Sequence, residues 1–249
     1  GAFDGVTAAL MVHPADADLN RMEVLAVQQL EVTFTGRAAH AAAAPWDGVN
    51  ALDAAVLGYT NVAALRQHLR PDERVHGIFT DGGAKPNIVP DRAAQHWYVR
   101  AGTMAALEAL RERVVRCLQA GADAAGAAME LRVVPDPYAD LRDNAALRGA
   151  YGANAAAIGR PVMPSSLAHG VLGSTDMGNV SHVVPAIHPM IAAAPPGTAI
   201  HTRAFAECAA AESGDRAVVD GAKAMAMTVV ELWADEGLRE RVRSLHDGG

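Results

Sequence analysis

Leu30-Glu31-Val32-Thr33-Phe34-Thr35-Gly36 is the stretch on which the fold turns. Leu30, Val32 and Phe34 alternate with Glu31, Thr33 and Thr35, the period of two that marks a strand with one face buried, and Gly36 closes it. A regular series begins near Glu23 and runs outward from this strand. Asp47 is placed to cap a long helix with Leu52, Val56, Tyr59, Ala63 and Arg66 on one stripe, stopped by Pro71. Val75 to Thr80 reads as a second strand, ended by Asp81-Gly82-Gly83, and Arg92 to Ala101 as a third. Thr103 can cap a second helix, in which Leu107, Leu110, Val114 and Cys117 recur at helical spacing up to Gly121. Met129, Leu131 and Val133 make a fourth strand, ended by Pro135. The order β-α-β-β-α-β over residues 23–134 is that of a ferredoxin-like sandwich, an antiparallel sheet with both helices on one face.

The flanks read differently. Residues 6–12 are mostly apolar and stop at His13-Pro14, which suits a buried strand because proline breaks a ladder. Ala15 to Arg21 is polar and reads as a linker. Beyond Tyr138 come a helix near Asn144 to Ile158, a Gly- and Pro-rich stretch with short apolar runs, and a final helix from about Gly214 to Asp235. That last helix carries Val218, Ala222, Met225, Val229 and Leu232 on one stripe. This alternation fits part of an α/β layer structure. The opening strand has no partner in the sandwich and is expected to pair with the C-terminal segment. The small domain, residues 23–134, is then an insertion in an α/β domain made of residues 1–22 and 135–249.

Composition excludes several classes of function. The 249 residues carry a net charge of −7, which argues against nucleic acid as a partner, since phosphate recognition needs a basic face. No apolar stretch approaches the roughly 20 residues that span a bilayer, and no charged segment precedes an apolar one as in a secretory signal. Cys117 and Cys208 lack C-x-x-C spacing and read as reduced thiols, which suits a cytoplasmic protein. Aromatics are only 4% while alanine occurs 54 times, so the core must be built from small aliphatic side chains. The sequence begins Gly1-Ala2-Phe3-Asp4, without an initiator Met.

Histidines are the first candidates for chemistry. His68, His76, His96 and His246 sit in helix, strand or tail contexts without another polar anchor and read as structural. His13, His40, His188 and His201 sit at breaks, where fixed elements present reactive groups. Two loops are dense in turn residues, Asp81 to Pro90 and Gly173 to Asn179. On spacing alone they are tight connections, and neither has a phosphate-loop pattern.

Gly36-Arg37-Ala38-Ala39-His40-Ala41-Ala42-Ala43-Ala44-Pro45-Trp46-Asp47-Gly48-Val49-Asn50-Ala51 resembles the lid signature of metallopeptidase family M-twenty, the aminoacylases, carboxypeptidase G and p-aminobenzoyl-glutamate hydrolase-like amidohydrolases. Asn87-Ile88-Val89-Pro90 resembles the second lid motif of that family, Gly173-Ser174-Thr175-Asp176 its glycine loop, and Ile200-His201-Thr202 its last metal-ligand motif. The resemblance implies a zinc-peptidase-like α/β catalytic domain, here incomplete, with an inserted ferredoxin-like lid that forms a homodimer. It implies two zinc ions per site, with His13 ligating one and His201 the other. His40 would donate to the oxyanion of the tetrahedral intermediate, often in the partner subunit's site. Asn87, Arg100 and the Gly173-Ser174-Thr175 loop would hold the substrate, with Arg100 pairing with a carboxylate. The implied reaction is hydrolysis of an amide bond in a dipeptide, an N-acyl amino acid or an aryl-glutamate.

One departure stands out. The family's first ligand motif is His-x-Asp and its general base comes from a Glu-Glu pair. No histidine here is followed two residues later by Asp, and no two Glu are adjacent. The expectation is therefore a C-terminal fragment that is inactive alone and binds zinc weakly. A non-catalytic dimerisation or regulatory subunit and one half of a split enzyme are the alternatives.

Overall fold

Three short strands open the computed structural model, which describes residues 1–164 and 172–248: β1 (Ala9–Leu10), β2 (His13–Ala15) and β3 (Glu23–Val24). Next come β4 (Ala26–Thr35), α1 (Ala51–Arg66), β5 (Arg74–Asp81), β6 (Arg92–Ala101), α2 (Met104–Ala125) and β7 (Ala128–Val133). The remainder holds α3 (Ala145–Ala157), β8 (Leu172–Gly173), α4 (Met177–Ser181), β9 (Ala186–Ile187), β10 (Met190–Ala192), α5 (Arg203–Ala209), α6 (Glu212–Ala234) and α7 (Glu236–Asp247). The chain divides into two compact units, Leu25–Asp140 and the pair of segments Gly1–Val24 with Leu141–Gly249.

In the unit Leu25–Asp140, the alternation of β4 does what the sequence demands: Leu30, Val32 and Phe34 are buried and Glu31 and Thr33 are not. The sheet order is β5-β6-β4-β7, all antiparallel, with β4 and β6 paired without a break from Ala26↔Ala101 to Thr35↔Arg92. Trp97 is fully buried on β6, and its indole N–H donates to Gln95 Oε1 at 3.0 Å. Gln95 in turn donates to the Ala55 carbonyl of α1 at 2.8 Å, so the polar ends of this core are satisfied.

The helices depart from their expected bounds and faces. Asp47 lies in a short 3-10 turn, Pro45–Asp47, and the cap of α1 is Asn50, whose side chain accepts from the N–H groups of Leu52 and Asp53. The buried stripe of α1 is Ala51, Ala54, Ala55, Gly58 and Val62, while Val56 is 46% exposed. The reason is the close approach of α2. A Cβ on Gly121 would collide with Gly58 and with the Ala54 carbonyl, so Gly121 is a helix-crossing point and not a helix end. α2 runs on to Ala125 and stops at Gly126, whose φ of 68° suits a glycine C-cap.

In the other unit, β1 pairs in parallel with β9, β2 with β10, and β3 with β8. The opening segment therefore does join the C-terminal one. It forms two short, half-buried strands instead of one strand over residues 6–12. Pro14 sits inside β2, not after it. The N–H of His13 donates to Pro189 O at 2.9 Å and Ala15 O accepts from Ala193 at 2.8 Å, so Pro14 faces away from β10 and no ladder bond is lost. Nor is Ala15–Arg21 a linker. Ala15 and Leu19 are buried with Met22 and Met190, and Asp18 accepts from the Ala192 N–H at 2.8 Å. Along α6 the buried residues are Gly214, Ala217, Gly221, Ala224, Thr228 and Leu232, whereas Val218 is 73% exposed. Here too a stripe of small residues takes the inner face, with Gly221 against Val12 and Ile191. Asp235 does not end the helical region: it caps α7 by accepting from Leu238 at 3.0 Å.

Glycines in this fold should respond with opposite signs. Gly121→Val overpacks the α1–α2 crossing and should cost about 1–3 kcal/mol. Gly149, on an open face of α3, should give up to about 1 kcal/mol of added stability as Gly149→Ala. Denaturant midpoints of the two variants check both signs.

Candidate functional site

His40 is presented by two loops laced together at one end of the sheet. The first follows β4. Arg37 and Val49 exchange N–H···O bonds of 2.9 Å across its neck, and the Arg37 guanidinium donates to the Asp47 carbonyl at 2.6 Å. The second precedes β6. Four backbone bonds join them: Gly36 N–H to Asp91 O, Val89 N–H to Ala39 O, Ala41 N–H to Asn87 O and Ala51 N–H to Pro90 O, all 2.8–3.0 Å. Gly48 lies where the loops come close, and a Cβ there would press on the side chains of Val89 and Ala39. Within the lid signature, then, Pro45 starts a turn, Gly48 lets the loops touch and Asn50 caps α1. These residues build the loop, and His40 is its exposed product.

The His40 ring is held by its own turn: Nδ1 accepts from the N–H groups of Ala42 and Ala43 at 3.3 and 3.2 Å. A nitrogen that accepts does not carry the proton, so the neutral ring bears it on Nε2 and can donate outward. Asn87, exposed on the neighbouring loop, is tied to the His40 loop through its carbonyl. The structure thus brings His40 and Asn87 together.

Arg100 is not part of that cluster. It lies near the far end of β6, whose near end, Arg92, adjoins the two loops. Eight residue steps at about 3.4 Å put about 27 Å of strand between them. Its guanidinium sits 5.8 Å from the Tyr98 ring centre, and its Nε donates to His76 Nε2 at 3.3 Å. Burial, with the charges of Arg100 and Arg66, holds the His76 pKa below its ordinary value. His76, read as structural in the sequence, is thereby a neutral acceptor for Arg100.

In the other unit, His13 lies on β2 and its Nδ1 is 2.8 Å from the Pro14 carbonyl. A carbonyl only accepts, so Nδ1 carries the proton and Nε2 keeps a lone pair. This is the opposite tautomer to His40. The ring next to His13 is that of His188, with centres 5.7 Å apart and planes tilted by 53°. His201 is exposed and adopts φ 64°, a left-handed conformation rare outside glycine, immediately before the α5 cap Thr202. Gly173 ends β8, where a Cβ would collide with Met22; Thr175 Oγ1 accepts from Met177 N–H at 3.3 Å, and Ser174 lies between them. Among the described residues no three His, Cys, Asp or Glu side chains converge to hold a metal ion. A cavity of about 1120 Å³ in this unit contains none of these residues, and its Arg160 is already paired with Asp18 and Asp220 at 3.6 and 3.0 Å.

With this geometry in hand, comparison with known proteins is informative. Residues 27–125 match the peptidase dimerisation domain. The chain is 38% identical over 246 residues to the Xaa-Arg dipeptidase of Mus musculus, covering 98% of this chain and 56% of that protein. It is 36% identical over 244 residues to the Xaa-Arg dipeptidase of Homo sapiens, again covering 98% of this chain and 56% of that protein. Among solved structures, a putative aminohydrolase from methicillin-resistant Staphylococcus aureus superposes with a TM-score of 0.66 at 19% identity, covering 92% of this chain and 59% of that one, a likeness of fold. Over residues 27–125 the chain carries the dimerisation domain of the M-twenty peptidases, and along nearly its whole length it is similar to these dipeptidases. It spans about half the length of the first curated relatives it matches. No described helix is long and apolar enough to cross a membrane.

The capping role of Asn50 has a measurable cost. Asn50→Ala should lower the stability of the lid by about 1 kcal/mol in denaturant titrations. Long-range ¹⁵N NMR should find the proton of His40 on Nε2 at neutral pH.

Proposed function

We propose that this chain provides the lid, the dimer contact and part of the metal site of a metal-dependent amidohydrolase. Its substrates are amides bearing a free carboxylate: a dipeptide, an N-acyl amino acid or an aryl-glutamate. The observation that carries the reading is the His40–Asn87 platform, an imidazole whose Nδ1 is engaged by its own exposed loop, joined by a backbone hydrogen bond to the loop that carries Asn87. Such a donor suits the negative charge that grows on the carbonyl oxygen as an amide becomes tetrahedral. Asn87 orients the substrate beside it, and Arg100 pairs with the carboxylate through its planar fork.

The donor chemistry at His13 fits a zinc-type ion: a neutral imidazole, its proton fixed on Nδ1 by a backbone carbonyl, with Nε2 as ligand. His13 and His201 are the proposed ligands of two zinc ions. When bound, the metal polarises the scissile carbonyl and acidifies bound water. The described residues do not complete a coordination shell, and the sequence contains neither His-x-Asp nor Glu-Glu.

The 27 Å of strand separating Arg100 from the loops bears on how the site is assembled. One small substrate does not span from Arg100 to His40 of the same chain, so two copies share each site, His40 and Asn87 coming from one and Arg100 from the other. This agrees with the dimerisation domain over residues 27–125.

In the natively expressed protein, His40→Ala should lower kcat about 10²- to 10³-fold with little change in KM, as for loss of an oxyanion donor. Mixing His40→Ala with Arg100→Ala protomers should restore activity, because half the sites of a mixed dimer regain both groups. No recovery would overturn the shared site. Failure to hydrolyse any of p-aminobenzoyl-glutamate, hippurate or Xaa-Arg dipeptides would overturn the functional reading.

A further inference from the structure

His188 is fully buried, and neither of its ring nitrogens has a hydrogen-bond partner among the described residues. An orphaned buried polar atom is destabilising, and a neutral imidazole carries two such atoms, one donor and one acceptor. Natural proteins seldom retain that cost without a use for it. The ring is held in place by the backbone. Its carbonyl accepts from the Met22 N–H at 2.8 Å, and the next residue, Pro189, accepts from the His13 N–H at 2.9 Å. The β2–β10 ladder therefore fixes His188 against His13.

We propose that His188 is a metal ligand and that His13 and His188 together offer a two-imidazole half-site for a divalent transition metal. Two observations support the pairing. An imidazole nitrogen binds zinc at about 2.1 Å and lies about 1.1 Å from its ring centre, so two rings on one ion at near-tetrahedral angles stand roughly 5–6 Å apart. The centres of His13 and His188 are 5.7 Å apart. His13 already has Nδ1 engaged by Pro14, which leaves Nε2 for a ligand. Imidazole donors without a converging set of carboxylates select zinc, cobalt or copper over calcium and magnesium. The proposal rests on His13 being a ligand, and it adds a residue outside the lid and terminal motifs to the site.

The test uses the 249-residue chain. One equivalent of Cu²⁺ is added, and electron spin echo modulation counts the imidazoles on the ion. Two on wild-type protein is the expected result; a count of one or none overturns the pair without any variant having to fold. Co²⁺ titration then apportions the ligands. His13→Ala and His188→Gln should each weaken Co²⁺ by more than about tenfold, and the double variant should be little worse than either, since both act on one ion. If only His13→Ala weakens binding, His188 is not a ligand and the reading of His13 stands. If only His188→Gln does, His13 is not a ligand and the pair is refuted with it. Absence of Co²⁺ binding by wild-type protein overturns both.

Discussion

The unbroken pairing of β4 with β6 is the constraint on which the lid depends. Its Thr35↔Arg92 end passes directly into the two loops that carry His40 and Asn87, and its Ala26↔Ala101 end carries Arg100. A slip of one residue would turn Leu30, Val32 and Phe34 to solvent and unmake the core against α1 and α2. Burial therefore enforces the register, and the register sets the distance between Arg100 and the loops that carry His40 and Asn87. On the proposed reading, the need for a second copy follows from strand length, a property of the backbone.

Backbone groups also decide what the histidines can do. His40 accepts from two peptide N–H groups and so presents a proton; His13 donates to a peptide carbonyl and so presents a lone pair. The same side chain offers a proton in one place and a lone pair in the other, according to the backbone groups that engage its Nδ1. Both cases need a loop or strand that holds the peptide groups still, which explains the dense lacing around His40 and the ladder behind His13.

Much of this was legible in the residues. Strand β6 occupies Arg92–Ala101 as its pattern predicts, and the β-α-β-β-α-β order holds, because alternation and helical spacing report directly on burial. Helix faces were less legible. Val56 and Val218 look like inward residues, yet alanine and glycine stripes take the inner faces of α1 and α6. Hydrophobicity ranks side chains by size, whereas these contacts select for the closest backbone approach. Asp47 looked like a cap, but Pro45 spends it on a 3-10 turn and leaves the cap to Asn50. The lid motifs could be read because their residues are near in sequence. The His13–His188 pair could not, since it arises from a parallel ladder between the two ends of the chain.

The alanine and glycine seams have a genetic consequence. Proteins with bulky cores are damaged mainly by losing volume. Here Ala54, Ala55, Gly58 and Gly121 fill inner faces where there is little room to gain it. One nucleotide change converts any alanine codon to valine, a chemically mild exchange by most similarity measures. At these seams it is a wedge, and inherited damage to this fold should concentrate in substitutions that a conservative scoring scheme would pass over.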